Sequence, residues 1–284
     1  MLPFAMLAER KGAQMVYVPL RADGRIDMGA YAQALVMRPK LVCVAQVGNV
    51  LGIEAPVARM AAEAHDAGAR FVLDAAQTFP HERIDVRAAG ADWVAFSGHK
   101  AYGPLGIGCL WISPEVFDEM DPVVGGGGTV SHVSTEGFLL RPKVIQYELG
   151  TPPISQAVGF AAAVSYLDAL GMENVSRHAA VLARYAVCGL EMLGGVSVLG
   201  DHGKPDGWHG LVSFALAGVN PELLAAFLGQ LDVAIRAGSH CAIPLQASMG
   251  SLGVGRMSFG VYTVPEEIEA ALAAIEACRR LYVG

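Results

Sequence analysis

Short apolar runs alternate with longer amphipathic stretches along most of this chain. Residues 41–47, Phe71-Val72-Leu73 and Trp93-Val94-Ala95-Phe96 have the length and the β-branched or aromatic content of buried strands. Between them, residues 27–36 and 56–67 carry apolar side chains at helical spacing, the second stretch with Gly68 as its stop. Ahead of these, residues 2–11 predict a helix and 14–18 a strand, followed by a turn at Ala22-Asp23-Gly24. Strands and helices alternating at this interval predict a mainly parallel sheet covered by helices.

Beyond residue 112 the pattern loosens. Residues 114–120 predict a short helix. Gly125 to Gly128 form a run of glycines that serves either as a linker or as backbone that approaches a ligand closely. The weak signal over 131–147 suits a hairpin or a flap, and 154–170 a long apolar helix. Gly171 is the expected boundary between a large domain (1–170) and a smaller α+β domain (171–284). In the second half, helices are expected at 173–193, 221–231 and 265–281. The last has Glu266 and Glu267 in its first turn, where carboxylates suit the helix dipole. Strands are expected at 196–199, 211–216 and 256–259, with a polar turn at Asp201-His202-Gly203-Lys204-Pro205.

Composition narrows the class. A chain of 284 residues, 53% hydrophobic and 17% charged, has material for one large or two ordinary domains and excludes disorder. The net charge of −7, with no basic run, argues against nucleic acid as a partner. No stretch has the length of apolar sequence that a membrane helix needs. Five scattered cysteines, without a CxxC pair and without a signal-peptide pattern, suit reduced thiols in a cytoplasm. No Cys/His cluster has the spacing of a metal site.

The candidate chemistry gathers where strands end. Asp74 and Gln77 follow one apolar run, Ser97-Gly98-His99-Lys100 another, and the Gly-rich turn 103–108 comes next. Ligands of open α/β sheets bind outside the carboxyl ends of the strands. A partly desolvated lysine forms Schiff bases with carbonyl compounds, and an Asp can pair with a protonated pyridine nitrogen. Ser97 and His99 have donors for a phosphate. On residue types alone, a helix-capping Asp and a solvated Lys explain the pair equally well. Cys241 is a second candidate. A buried structural thiol is the commoner use of a cysteine, but Gly238-Ser239-His240 before it and Pro244 after it predict a loop. Arg236 and His240 are placed to favour its thiolate, the reactive form.

The segments DAAQ (74–77), SGHKAYGPLGIG (97–108), YELGTPP (147–153) and RAGSHCAIPL (236–245) resemble, in order and spacing, the class V aminotransferase family. These are pyridoxal 5′-phosphate (PLP) enzymes of fold type I, the aspartate aminotransferase-like α/β fold. The greatest similarity is to group II cysteine desulfurases (the SufS and CsdA type) and selenocysteine lyases. The resemblance implies that Lys100 carries the cofactor, Asp74 faces its ring nitrogen and Gln77 its phenolic oxygen. Ser97 and His99 belong to the same site, with Ser97 a phosphate ligand. Thr151 reaches the phosphate of a second subunit, which implies a homodimer. Asn49, in an NVLG motif, and Arg256 hold the substrate carboxylate, with Arg236 assisting or shaping the loop. Cys241 takes sulfur from L-cysteine as a persulfide, leaving alanine, and a sulfur-acceptor protein collects it for iron–sulfur cluster assembly.

The resemblance also has gaps. Relatives carry further chain ahead of the point that matches Met1, including a Gly-Thr phosphate loop and a histidine that stacks on the PLP ring; neither has a match here. Gln46 and Gly48 stand where the family usually has His and Ser, and Ser239 where many relatives have another polar residue or His. Three alternatives stay open: a piece of a longer chain, a chain completed by another polypeptide, and a short relative with altered activity. The competing functions are a selenocysteine lyase, another class V enzyme acting on a small amino acid, or a catalytically silent scaffold.

Overall fold

Two four-stranded sheets organise the chain in this computed structural model, which describes residues 1–200, 209–250 and 253–283. The polar turn expected at Asp201-His202-Gly203-Lys204-Pro205 lies outside the described residues.

Helix α1 (Leu2–Lys11) leads to α2 (Met28–Val36), where Asp27 Oδ1 accepts from the amides of Gly29 and Ala30 at 2.9 and 3.0 Å. That is the side-chain cap the helix start requires. The first sheet follows in the order β1 (Leu41–Ala45), β2 (Arg70–Asp74), β3 (Trp93–Ser97) and β4 (Gly108–Ile112), with α3 (Val57–Asp66) crossing from β1 to β2. The pairs β1–β2 and β2–β3 are parallel and β3–β4 is antiparallel, so the expected mainly parallel sheet is present. Strand β4 goes unannounced in the sequence, because its entry is the glycine-rich turn. There a side chain on Gly108 would come within 2.8 Å of the Phe96 carbonyl.

After α4 (Pro114–Phe117), strands β5 (Val130–Val133) and β6 (Phe138–Leu140) form the hairpin expected in this stretch. Helices α5 (Ile154–Leu170) and α6 (Met172–Glu191) meet at 79° over Gly171, whose φ of +80° lies in the left-handed region. The second sheet is built from β7 (Val196–Val198), β8 (Leu211–Leu216), β9 (Arg236–Gly238) and β10 (Val254–Ser258). Their spatial order is β7-β8-β10-β9, antiparallel throughout. Helices α7 (Pro221–Gly229), α8 (Ile243–Ser248) and α9 (Pro265–Tyr282) complete it. Among the described residues no single helix is long and apolar enough to cross a membrane; the bent pair α5–α6 passes that test only jointly.

Each sheet has its own core. Tyr31, Phe71, Leu73 and Val94 are buried between the first sheet and α2 and α3, and Leu182, Phe214, Leu228 and Ile275 between the second sheet and its helices. Each such side chain contributes roughly 1.5–3 kcal/mol of burial free energy. A third cluster, Val50, Leu51, Leu199 and Val254, joins the two halves.

Two expectations fail. Residues 14–18 have no regular structure and form no ladder; Val16 and Tyr17 stay 46% and 58% exposed, and the nearest pairing is an isolated bridge from Leu20 to Ile26. A strand exists only where a neighbour offers its edge, and none of the described strands lies beside this one. The last strand begins two residues earlier than its apolar pattern suggests, because Val254 pairs with Gly238 across β9.

Candidate active site

Lys100 owes its position to a tight connection between β3 and β4. Ser97 is still extended, and the chain then winds into one 3-10 turn, Gly98–Ala101, closed by Tyr102 at φ +63°. Gly98 N donates to Ile107 O and Gly103 N to Gly98 O, each at 2.9 Å, so the turn is fixed at both ends. Gly98 and Ala101 face inward while His99 and Lys100 are exposed. One strand over, Asp74 is the last residue of β2 and pairs in register with Ala95 of β3. Its Oδ1 accepts the Ala76 amide at 2.9 Å, which fixes the carboxylate at the strand end.

The amine of Lys100 is pulled below the ordinary lysine range, first by loss of hydration and then by the cations Arg256 and Arg236; Asp74 and Cys241 oppose the shift. The side chain remains solvent-accessible, so the desolvation is partial. Asp74 at the end of β2 and Lys100 just after β3 are thus within electrostatic reach of Arg236 and Arg256 in the second sheet and of Cys241 in the loop after β9.

Asn49 forms the seam between them. Arg256 Nη1 donates to the Asn49 main-chain oxygen at 2.9 Å, and Arg256 Nε to Ser258 Oγ at 3.1 Å. Asn49 Nδ2 in turn donates to His240 O at 2.6 Å. Nearby, Ser213 Oγ donates to Val50 O at 2.5 Å. Burial and the neighbouring Arg236 push the Arg256 guanidinium down, yet arginine stays cationic at any working pH.

Cys241 is exposed in the loop between β9 and α8, with Arg236 Nη2 in a long contact of 3.9 Å to its sulfur. His240 and Cys241 both have positive φ, 52° and 62°. Neither is glycine, and a non-glycine residue held there costs on the order of 1–3 kcal/mol.

The expectation that His240 favours the thiolate by its charge needs correction. His240 is 2% exposed, and its Nε2 bonds to Val254 O at 3.0 Å. Burial pushes the imidazole below its ordinary value, a pull that the Val254 bond opposes and that Arg256 and Arg236 reinforce. It is neutral near pH 7, and of the two residues only Arg236 brings a cation to the sulfur.

The remaining candidates sit around this centre. Gln77 and Ser97 are half-buried at the ends of β2 and β3, and His99 is exposed beside Lys100. Thr151 is exposed in the loop before α5, which is tied to the glycine run by Gly150 N donating to Gly127 O at 2.7 Å. No described interaction joins Thr151 to Lys100 or Asp74. Two contributors were invisible in the sequence: His240 as a buried tether, and Tyr102, whose hydroxyl accepts from Val261 N at 2.9 Å and ties the lysine turn to the second half. No local pattern announces contacts across such separations.

The residues fit the ring of a pyridoxal cofactor. An exposed amine with a lowered pKa and a carboxylate fixed at the neighbouring strand end are what its aldehyde and ring nitrogen require, and Ser97 and His99 offer donors beside the lysine. Among the described residues no group of three or more His, Cys, Asp or Glu side chains is arranged to hold a metal ion.

Comparison with known proteins agrees with the fold. The family model for class-V aminotransferases matches residues 1–271. A cysteine desulfurase of Haloferax volcanii is 40% identical over 282 residues, covering 99% of this chain and 66% of that protein. The apo cysteine desulfurase of Thermococcus onnurineus superimposes with a TM-score of 0.94 at 35% identity, over 99% of this chain and 70% of that one. The Escherichia coli cysteine desulfurase CsdA, in an S-sulfonic acid form, gives 0.94 at 32% identity, over 100% and 70%. The chain therefore spans about two thirds of the length of the curated relatives it matches. With the fold-type I architecture on both sides of the comparison, the chain belongs to the class-V aminotransferase family, whose members are PLP-dependent enzymes.

Proposed function

We propose that this protein is a cysteine desulfurase, which takes sulfur from L-cysteine onto Cys241 and releases L-alanine. The observation that carries the reading is the convergence on Lys100 of Asp74, Arg256, Arg236 and Cys241, drawn from two sheets and from positions 74 to 256. The high similarity to cysteine desulfurases supports the same reading. Residues 1–170 and 171–284 act as the large and small domains, with the site on their seam.

Each residue has a task that its chemistry suits. Arg256 binds the substrate carboxylate, for which a guanidinium offers two parallel donors; Asn49 lies beside it, and Arg236 adds a second cation. Lys100 Nζ would hold the cofactor aldehyde and would move the substrate Cα proton. Asp74 would lie against the ring nitrogen, with Gln77, Ser97 and His99 around the cofactor. When bound, the cofactor supplies an electron sink for the charge that develops at Cα. Cys241 Sγ attacks the substrate sulfur. The S–Cβ bond breaks, an S–S bond forms, and the products are alanine and a Cys241 persulfide.

An exposed persulfide is accessible to an acceptor protein, and iron–sulfur cluster assembly is the destination that the resemblance implies. Thr151, flanked by the exposed apolar residues Leu149, Ile154 and Val158, is suited to reach a second subunit of a homodimer.

The test is the visible absorption spectrum of the purified protein with added PLP, before and after borohydride. The expected result is a band that reduction abolishes, with the pyridoxyl group left on Lys100, followed by cysteine-dependent alanine release. A folded protein with no band at saturating PLP would sink the enzyme reading and favour a silent scaffold. Alanine formed from selenocysteine but not from cysteine would favour a lyase.

A further inference from the structure

We infer that His240 is a positioning residue for Cys241: its ring and its carbonyl hold the next residue's thiol at the mouth shared by Lys100 and Arg256. The inference rests on the reading of Cys241 as the sulfur-accepting thiol.

Cys241 does little to place itself, since the described contact of its sulfur is the long one from Arg236. Its position comes from the backbone, and the backbone there is strained: two consecutive non-glycine residues have positive φ. Such a conformation persists only where the surroundings over-determine it. Here they do so through His240. The ring bonds through Nε2 to Val254 O at 3.0 Å, and the carbonyl accepts from Asn49 Nδ2 at 2.6 Å. Val254 lies two residues before Arg256 on β10, and Arg256 returns to Asn49 O at 2.9 Å. The tethers therefore close a ring of contacts, His240 to Val254, along β10 to Arg256, to Asn49 and back. The thiol loop and the carboxylate-binding guanidinium are members of that ring.

The chemistry of the imidazole separates this role from mere packing. Donation from Nε2 to a carbonyl fixes the Nε2–H tautomer, and Nδ1 is left buried without a hydrogen-bond partner in the structure. A buried unpaired nitrogen is costly, and a leucine would fill the same space without it. What the imidazole supplies and leucine does not is the bond to Val254 O.

The test compares His240→Leu, which keeps the volume without the donor, with His240→Gln, whose side-chain amide can still reach Val254 O. The first measurement is hydrogen exchange in the cofactor-free protein at the Ala242 amide, which donates to Ser239 O at 2.9 Å across the Cys241 turn. Exchange is expected to rise at least about tenfold in His240→Leu and to return to the native rate in His240→Gln. The second measurement, on the PLP-loaded protein, is formation of the Cys241 persulfide in the first turnover. It is expected to slow by roughly 100-fold in His240→Leu with KM for cysteine unchanged, the scale set by a misplaced reacting group. Unchanged exchange in His240→Leu, or no recovery in His240→Gln, overturns the inference. Absence of persulfide in the native protein counts against the desulfurase reading, and the exchange measurement still decides for His240. Should His240→Leu fail to fold, Asn49→Ala opens the same ring from the other side: raised exchange at Ala242 supports the inference, and unchanged exchange refutes it.

Discussion

Arg256 lies directly opposite Arg236 in the antiparallel pairing of β10 with β9. Like charges facing each other across strands destabilise a sheet by roughly 0.2–1 kcal/mol. The arrangement makes physical sense as a site for an anion between or beside the two guanidiniums. Replacing Arg236 by Gln should therefore raise the thermal midpoint of the ligand-free protein slightly. It should also reduce the extra stabilisation that the native protein gains from cysteine or alanine. Thermal melts with and without amino acid check both effects.

Arg256→Gln should raise KM for cysteine by roughly 10- to 150-fold, the equivalent of losing a charged hydrogen bond worth about 1.5–3 kcal/mol. Cysteamine lacks the carboxylate, so any binding it shows should change little. Competition experiments with the two thiols against the native and variant proteins provide the measurement.

Lys100→Ala should abolish both borohydride labelling and alanine release, a loss of at least about 10³-fold for a residue that is nucleophile and base together. A subtler change tests the electrostatics. Arg236 destabilises the charged amine of Lys100, so Arg236→Gln should raise the pKa of that amine. The neutral form then appears only at higher pH, and the acidic limb of the pH profile for PLP capture should move upward. Movement in the other direction would contradict the geometry.

His81 predicts acid sensitivity away from the active site. Its ring packs against Gly210, where a Cβ would meet ring atoms at 2.7–3.1 Å, and His209 and Glu82 are its titratable neighbours. Burial, with help from His209 and against Glu82, lowers the His81 pKa from 6.5 to about 4. Between those values the unfolded chain takes up a proton that the folded protein refuses. This contribution to stability is therefore full above about pH 6.5 and lost as pH falls towards 4, by on the order of 2–3 kcal/mol. His81→Leu should flatten the denaturation midpoint across that window, as urea titrations at several pH values would show.

Gly189 of α6 packs against Leu272 of α9, so an added Cβ would run into the Leu272 side chain. Gly189→Ala should cost about 1–3 kcal/mol through overpacking, despite the better helix propensity of alanine. A second change, Leu272→Ala, should recover part of the loss, and a double-mutant cycle of thermal midpoints measures the coupling.

The first sheet is largely legible in the sequence because its strands are short, apolar and bounded by helical stretches. The ends of β2 and β3, with Asp74 and Lys100, are legible for the same reason. Strand β4 is not, since its glycines resemble a plain turn until β3 is there to receive them. Residues 14–18 show the converse: a strand-like composition finds no edge to pair with. The seam is the least legible part. Asn49 and His240 have no common local pattern, and His240 beside a cysteine suggests a cation until its burial against Val254 is known. Burial and long-range pairing decide these cases, and neither is written in a window of ten residues.

The seam also sets an order in time. Asn49 bonds to His240 across 191 residues and to Arg256 across 207. At about 5–20 residues per second on the ribosome, the strand-end loop that carries Asn49 waits roughly 10–40 s for Arg256 to be synthesised. Of the second-half residues around Lys100, Arg236 and Cys241 are made first and Arg256 last. On the desulfurase reading, a nascent chain of this protein therefore has the Lys100 and Asp74 half of its site laid out well before the residues that complete it exist.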